Sequence, residues 1–248
     1  MKKTFPKIFY RYRSVGKSLG YLLSEIRGEL WFSTHEYLND PFDGLSRILP
    51  LEKEIQVPSF NSESENEIQK AIRKAGWAIA CFSETSESIT MWAHYADFNG
   101  VCLGYDSEEL KASISRLNEG HKWPFEPKGV FDKVNYVNQM PKEFKDYEEG
   151  LFTKIEDWKA EKEWRTAYLF NKFYGISKGR EVWLTENCLK EVIFGPKTET
   201  HTMFAIFDCL RERAHSISFF ILKLNKKISR LSIEPYDLDE YYLHRNGY

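Results

Sequence analysis

Cysteine is scarce in this sequence: there are four among 248 residues, at Cys81, Cys102, Cys188 and Cys209. They lie far apart, with no Cys-x-x-Cys pair and no histidine nearby at the spacing of zinc ligands. This pattern argues against both a disulfide framework and a cysteine-ligated zinc site. We expect buried, reduced thiols.

Long apolar runs are also lacking. Stretches such as Ser216–Leu224 and Val192–Phe194 fall well short of the roughly 18 residues that a membrane helix needs. The first residues begin like a charged leader, but the Tyr10–Arg13 segment interrupts any apolar core region that a signal peptide would require. We therefore expect a cytoplasmic protein with no membrane partner.

Neither the net charge nor the glycine motifs point to a nucleic-acid-binding surface or to one of the common glycine-motif folds. The formal net charge is −2, from 35 basic and 37 acidic residues, so the composition indicates neither a basic nucleic-acid surface nor an acidic disordered tail. The glycine patterns of P-loop, Rossmann and α/β-hydrolase proteins are absent from the sequence. These absences exclude the three corresponding classes.

Alternating and helical patterns predict helices and strands in mixed order, without the regular alternation of a parallel α/β fold. We therefore expect an α+β fold with a mixed, mainly antiparallel sheet flanked by helices, in one domain over residues 1–248, with a polar loop near 51–66 and a helical insertion near 138–157. The predicted strands are Lys7–Arg13, Leu30–Thr34, Trp77–Ser83, Gly100–Tyr105, Gly129–Val137, Trp158–Tyr168, Glu181–Leu184, Lys190–Gly195, Ile217–Leu224 and Ile228–Ile233. The predicted helices are Ser18–Arg27, one ending at Lys74, Ser88–Tyr95, Ser107–Leu117, Pro141–Asp157 and about Thr198–His215.

The acidic segment Trp158–Tyr168 is the most informative part of the chain. If it is a strand, Glu161, Glu163 and Arg165 share one face, because successive side chains point to opposite sides. One interpretation is a solvated outer face. The other is a carboxylate pair that lines a cleft, with one acid holding a sugar hydroxyl and the other a nucleophile.

In the first strand the sequence Tyr10-Arg11-Tyr12-Arg13 places two arginines on one face and two tyrosines on the other. The planar guanidinium suits phosphate or carboxylate groups. Solvated arginines on an edge strand are the simpler alternative.

Three further segments contain candidate groups. Ser33, Thr34 and His35 end the second predicted strand and could equally cap a following helix. Asp40 and Asp43 flank a rigid Pro-Phe pair, but two aspartates are too few to predict a metal site. A third segment, Met91–Asp97, contains Trp92, His94 and Tyr95, which could contact a planar ring or belong to the core.

Five blocks of the chain resemble a bacterial family, domain of unknown function 2971. They are Tyr10–Arg13, Trp31–Asp43, Met91–Asp106, Glu161–Arg165 and Leu189–Gly195. The resemblance supplies no established activity. It implies a stand-alone cytoplasmic protein of the kind found in mobile or defence-associated regions of bacterial genomes.

The order of motifs also resembles the Arg/Ser/Glu class of ADP-ribosyltransferases. That resemblance implies an NAD-consuming enzyme with Arg11 or Arg13 on the cofactor, Ser33 and Thr34 bracing the nicotinamide pocket, and His94 and Tyr95 as further contacts. It implies that Glu163 bonds the nicotinamide ribose and that Glu161 orients or deprotonates the acceptor. His35 stands where that class has a serine.

We therefore expect an ADP-ribosyltransferase-like toxin or antiviral effector that consumes NAD and modifies a macromolecule, either protein or nucleic acid. A metal-dependent nuclease using Asp40, Asp43, Glu161 and Glu163 is the first alternative. A non-enzymatic nucleotide- or protein-binding module, with an aromatic cleft around Trp31, Trp92 and Trp164, is the second.

Overall fold

A computed structural model describes residues 5–16, 18–34, 38–40, 75–115, 130–142, 144, 147–171, 181–225, 227–228 and 230–237. The strands are β1 (Ile8–Arg13), β2 (Glu29–Trp31), β3 (Ser33–Thr34), β4 (Ala75–Ser83), β5 (Val101–Asp106), β6 (Val130–Lys133), β7 (Asn135–Val137), β8 (Thr153–Ile155), β9 (Glu163–Asn171), β10 (Glu181–Trp183), β11 (Leu189–Phe194), β12 (Ser218–Asn225) and β13 (Arg230–Pro235). The α-helices are α1 (Leu19–Ile26), α2 (Ile89–Tyr95), α3 (Ser107–Ser115), α4 (Tyr147–Leu151) and α5 (Thr200–Leu210), and short 3-10 helices cover Glu156–Glu161 and Ala214–Ser216.

One large sheet organises the described part of the chain. Its strand order is β13-β12-β11-β5-β1-β4-β9-β6, and β3 pairs with β4 beside this path. Strands β11 and β12 are parallel, whereas the other pairs in this sheet are antiparallel. Two small two-stranded sheets, β10-β2 and β7-β8, complete the strand pairing. The predicted α+β class with a mixed, mainly antiparallel sheet is confirmed.

Strand β1 lies inside the sheet, and its alternating pattern explains why. Phe9 belongs to the main hydrophobic core, while Tyr12 belongs to a second core cluster that also contains Trp92. Both faces of the strand are thus covered, so Arg11 is only 6% exposed. The alternative of solvated arginines on an edge strand is wrong for Arg11, because β1 has β5 on one side and β4 on the other.

The sheet opens between β1 and β4. Strand β1 pairs with β5 at six successive positions, and β4 pairs with β9 at nine. Between β1 and β4, by contrast, the described pairing is the single position Tyr10↔Ser83. Farther along β4, its edge is taken by β3, with Ser33 opposite Ile79. The two central strands therefore separate after one contact, which leaves a gap in the middle of the sheet.

Most predicted elements agree with the structure, but the segment before the acidic strand does not. The predicted helix Pro141–Asp157 is wrong: helix α4 has only five residues and is followed by β8 and a 3-10 helix. The many charges suggested an amphipathic helix, yet Thr153-Lys154-Ile155 has the alternating, β-branched character of a strand. The single strands predicted over Leu30–Thr34 and Gly129–Val137 are each two short strands.

The predicted polar loop at 51–66 and the helix ending at Lys74 lie outside the described residues. Within the described ranges, none of the helices has both the length and the apolar character needed to cross a membrane.

Candidate functional site

A cavity of about 240 Å³ lies at the gap between β1 and β4. Because the strands separate there, side chains from both faces of the sheet reach the same space. The lining consists of Tyr10, Arg11, Tyr12, Arg13, Ser33, Leu38, Asn39, Ile79, Cys81, Phe82, Met91, Tyr95, Lys154, Glu161, Glu163 and Arg165. The cavity is smaller than the roughly 300–1,000 Å³ typical of small-molecule sites. It can therefore enclose part of a dinucleotide rather than the whole.

Two buried carboxylates share one ammonium group in this cavity. Lys154 Nζ donates to Glu161 Oε2 at 2.5 Å and to Glu163 Oε2 at 3.1 Å. The exposed fractions of the three residues are 2%, 4% and 4%. Burial alone would lower the pKa of Lys154, but Glu163 and Glu161 outweigh it, so the pKa is raised and the ammonium stays charged.

Glu163 is held in its ionised form. Arg165 donates to both of its oxygens, from Nε to Oε1 at 2.7 Å and from Nη2 to Oε2 at 3.2 Å. Burial alone would raise the pKa of Glu163, yet Arg165 and Lys154 together hold the pKa well below its ordinary range. A carboxylate fixed by two cations cannot take up a proton near neutral pH. It can only supply negative charge and accept hydrogen bonds.

Glu161 lies in a different electrostatic setting. Its Oε1 accepts a hydrogen bond from the Tyr95 hydroxyl at 2.5 Å, and Asn39 Nδ2 in turn donates to that hydroxyl at 2.5 Å. Burial raises the pKa of Glu161, and the charge of Glu163 adds to the rise, while Lys154 offsets part of it. The two glutamates are thus neighbours with pKa values shifted in opposite directions.

The backbone between the two glutamates explains how they meet. Glu161 ends a 3-10 helix and does not lie in the strand, so the prediction that it shares a strand face with Glu163 is wrong. Lys162 adopts a left-handed conformation, with φ 45°, and β9 starts at Glu163. This reversal, rather than strand alternation, brings the Glu161 carboxylate beside that of Glu163. The predicted shared face of Glu163 and Arg165 is consistent with their hydrogen bonds.

A second group of charges, Arg11, Arg13 and Glu25, lies at the cavity. Glu25 of α1 accepts from Arg13 Nε at 2.6 Å and from the Tyr105 hydroxyl at 3.1 Å, and its Oε1 lies 3.3 Å from Arg11 Nε. Glu25 is 6% exposed. One buried carboxylate therefore holds two guanidinium groups that line the cavity, which leaves this group of three residues with a net positive charge.

The guanidinium of Arg11 is the clearest indication that the cavity binds a further group. Its guanidinium lies 5.3 Å from the centre of the Phe82 ring, and its Nη1 has no hydrogen-bond partner among the described residues. A buried guanidinium nitrogen normally has a hydrogen-bond partner, because a buried donor without one destabilises the fold by roughly 1–3 kcal/mol. The geometry suits an anionic or oxygen-rich group bound in the cavity beside Arg11.

Six of the predicted site residues line this one cavity: Arg11, Arg13, Ser33, Tyr95, Glu161 and Glu163. Two others are placed differently. Thr34 lies in β3 opposite Ala78, and His94 is an exposed residue of α2 that does not line the cavity. His35 and Asp43 lie outside the described residues, whereas Asp40 is buried.

The three tryptophans proposed for an aromatic cleft do not form one. Trp164 is part of the main core and Trp92 of the second cluster, and they are 2% and 0% exposed. Trp31 is half-buried, with its indole nitrogen donating to Glu29 at 3.1 Å. None of the three lines the described cavity, so that part of the binding-module alternative is wrong.

The sequence analysis missed Lys154 and Glu25. Lys154 fell within a segment predicted as a charged amphipathic helix, although an isolated lysine in a short β-branched strand was an available signal. Glu25 interrupts the apolar side of α1 formed by Leu22 and Ile26, and a carboxylate at such a position indicates a buried cation nearby. Cys81 was predicted only as a buried thiol, yet it lies next to Glu163, and burial raises its pKa.

The described residues contain no cluster of three or more His, Cys, Asp or Glu side chains suited to a metal ion. Between Glu161 and Glu163, the position that a cation would take is occupied by the Lys154 ammonium. A metal ion held by both glutamates would have to displace this ammonium.

Fold and site together define an α+β protein with a polar, charge-lined cavity in a divided sheet. Residues 91–166 match the family model described as protein of unknown function (DUF2971), which confirms the resemblance to domain of unknown function 2971. The matched segment contains Tyr95, Lys154 and both glutamates. No curated protein and no solved structure matches the chain.

Proposed function

We propose that this protein is an NAD-consuming enzyme of the ADP-ribosyltransferase type. The observation that supports the proposal is the composition of one cavity, which brings together Arg11, Arg13, Ser33, Glu161 and Glu163 from separate parts of the chain. Arg11 and Arg13 share the single carboxylate of Glu25, which leaves an excess of positive charge that suits a diphosphate. The glutamate pair, balanced by Lys154 and Arg165, offers carboxylate oxygens to a ribose.

Glu163 would stabilise the transition state of glycosidic cleavage. When the bond between ribose C1′ and the nicotinamide nitrogen breaks, its electron pair leaves with nicotinamide and positive charge develops on the ribose. A carboxylate kept ionised by Arg165 and Lys154 supplies fixed negative charge where that positive charge develops. This role needs no proton transfer, in agreement with the lowered pKa of Glu163.

Glu161 would act on the acceptor. An incoming hydroxyl forms a bond to C1′ and must lose its proton, and Glu161 is the carboxylate whose raised pKa favours accepting it. Two adjacent carboxylates whose environments push their pKa values apart are a recurring arrangement for divided roles in one site. Tyr95 holds Glu161 by a hydrogen bond to Oε1.

Arg11 would bind the diphosphate. Its unpartnered Nη1 and the excess of cationic groups around Glu25 favour an anion on this side. The cavity volume of about 240 Å³ can enclose part of NAD, with the remainder of the substrate extending outward. The macromolecular acceptor is protein or nucleic acid, and the cellular role is that of a cytoplasmic toxin or antiviral effector.

The test is incubation of the purified protein with NAD, alone and with a bacterial extract, followed by chromatographic measurement of free nicotinamide and of ADP-ribose. Release of nicotinamide supports the proposal. Equal amounts of free ADP-ribose and nicotinamide indicate hydrolysis, whereas ADP-ribose bound to macromolecules indicates transfer. No release in either condition contradicts the enzyme and favours a binding module.

A further inference from the structure

We propose that Lys154 is a positioning residue that balances the charge of the Glu161–Glu163 pair and thereby sets the pH at which Glu161 ionises. The observation is its location: one buried ammonium donates to both carboxylates, at 2.5 and 3.1 Å. The catalytic meaning of this arrangement rests on the proposed function, but the charge arrangement itself does not.

Lys154 contributes one of the positive charges that balance the glutamate pair. Glu161 and Glu163 are two buried acids, and among the described residues Lys154 and Arg165 are the two cations paired with them. Arg165 donates to Glu163, and its third nitrogen, Nη1, donates to the Leu151 carbonyl at 2.8 Å. Lys154 is thus the cation that contacts Glu161 in the described structure, and without it this buried carboxylate would keep the neutral Tyr95 hydroxyl but no positive charge.

Other polar groups near Glu161 cannot replace this charge. Tyr95 contacts it through a neutral hydroxyl, and burial together with Glu161 raises the pKa of Tyr95, which keeps that hydroxyl protonated. The Tyr136 hydroxyl accepts a hydrogen bond from the backbone nitrogen of Glu163 at 2.8 Å, and Cys81 lies beside the Glu163 carboxylate. Burial also raises the pKa of Tyr136 and of Cys81. These three groups are therefore neutral at neutral pH.

Lys154 is itself fixed from a further side. Its Nζ lies 4.7 Å from the centre of the Trp158 ring, in the 3-10 helix that ends at Glu161. The ring, β8 and the two carboxylates leave the ammonium little freedom to move. Such a group can hold both acids in place for the reaction, which is the expected task of a residue that supports catalytic groups.

The experiment compares Lys154→Met with Lys133→Met by infrared spectroscopy as a function of pH. Lys133 also pairs with a glutamate, Glu84 at 2.7 Å, but it is 47% exposed by side chain and does not line the cavity. In Lys154→Met, the band of a protonated buried carboxyl should form at a pH higher by about 1–3 units than in the wild type, because a nearby opposite charge has been removed. The additional substitution Glu161→Gln should remove that band.

Lys133→Met should leave the titration of this band unchanged. An unchanged titration in folded Lys154→Met would overturn the proposal. If Lys154→Met does not fold, the folding of the double variant Lys154→Met/Glu161→Gln tests the proposal instead. Recovery of the native near-ultraviolet circular dichroism supports charge balance as the role, and failure to recover contradicts it. These measurements need no NAD. A protein that does not consume NAD would therefore contradict the proposed function without deciding whether Lys154 sets the ionisation of Glu161.

Discussion

Tyr10 and Ser83 form the single residue pair by which β1 meets β4 in the described strands. Ser83 also holds the backbone at Glu161, because its buried hydroxyl donates to the Glu161 carbonyl at 2.6 Å. Ser83 thus lies where the sheet divides and also holds the end of the 3-10 helix that carries Glu161. The edge of the opening and the backbone that carries the Glu161 carboxylate therefore meet at Ser83.

Ser83→Ala should lower the free energy of unfolding by about 1–3 kcal/mol, because it leaves the buried Glu161 carbonyl without its donor. Chemical denaturation measures the change. Ser216→Ala is the matched control, since Ser216 also donates to a backbone carbonyl, that of Arg213 at 2.8 Å, but at an exposed site. Equal effects of the two substitutions would show that Ser83 does not anchor the site.

Arg11→Lys should weaken NAD binding by about 1.5–3 kcal/mol, the range for a hydrogen bond to a charged group, because the planar fork is lost. Arg13→Lys should change it little. Arg13 Nε is already bonded to Glu25 and its side chain is 33% exposed, whereas Arg11 Nη1 has no partner in the described structure. Calorimetric titration of each variant with NAD measures the two binding free energies. Equal, negligible effects would remove the first-strand arginines from the binding site.

Glu163→Gln should change how stability depends on pH. The folded-state pKa of Glu163 is lowered from 4.5, so its ionised form stabilises the fold above about pH 4.5, and this contribution is lost as the pH falls through the lowered pKa. The difference in unfolding free energy between wild type and variant should therefore be largest near neutral pH and shrink in acid. A difference that stays constant from neutral pH into acid would contradict the assigned ionisation.

Removal of divalent metal ions should leave NAD turnover unchanged, because Lys154 already supplies the cation between the two glutamates. Turnover measured with and without a chelator tests this expectation. Loss of activity on chelation, restored by magnesium or manganese, would favour the metal-dependent alternative.

The sequence predicted the strands of the divided sheet because their patterns are local. Alternation in Tyr10–Arg13 predicted that the arginines and the tyrosines lie on opposite faces of β1. The same rule predicted that Glu163 and Arg165 share one face of β9. The sequence could not predict the gap between β1 and β4, since strand pairing depends on contacts between distant segments. The identity of the glutamate pair was predicted, but its geometry was not, because the left-handed Lys162 breaks the assumed alternation.

Lys154 and Glu25 show the limit of motif-based prediction. Each is a single charged residue in a short element, and its partner lies on a different element or across a turn. Lys154 contacts Glu161 and Glu163 only because β8 lies beside the 3-10 helix, and Glu25 contacts Arg11 only because α1 packs against the sheet. The pairing of buried charges is set by packing, which a pattern along the chain does not encode.

The most direct test of the central claim is nicotinamide release from NAD by the wild type, Glu163→Gln and Glu84→Gln, each corrected for the folded fraction. That correction matters because Glu163→Gln weakens a buried ion pair, and breaking such a pair costs on the order of 3 kcal/mol. Glu84 is the control, since it pairs with Lys133 and Trp164 outside the cavity lining. We predict a loss of roughly 100-fold or more for Glu163→Gln and wild-type release for Glu84→Gln. Full release by folded Glu163→Gln would contradict the assignment of Glu163 to the reaction.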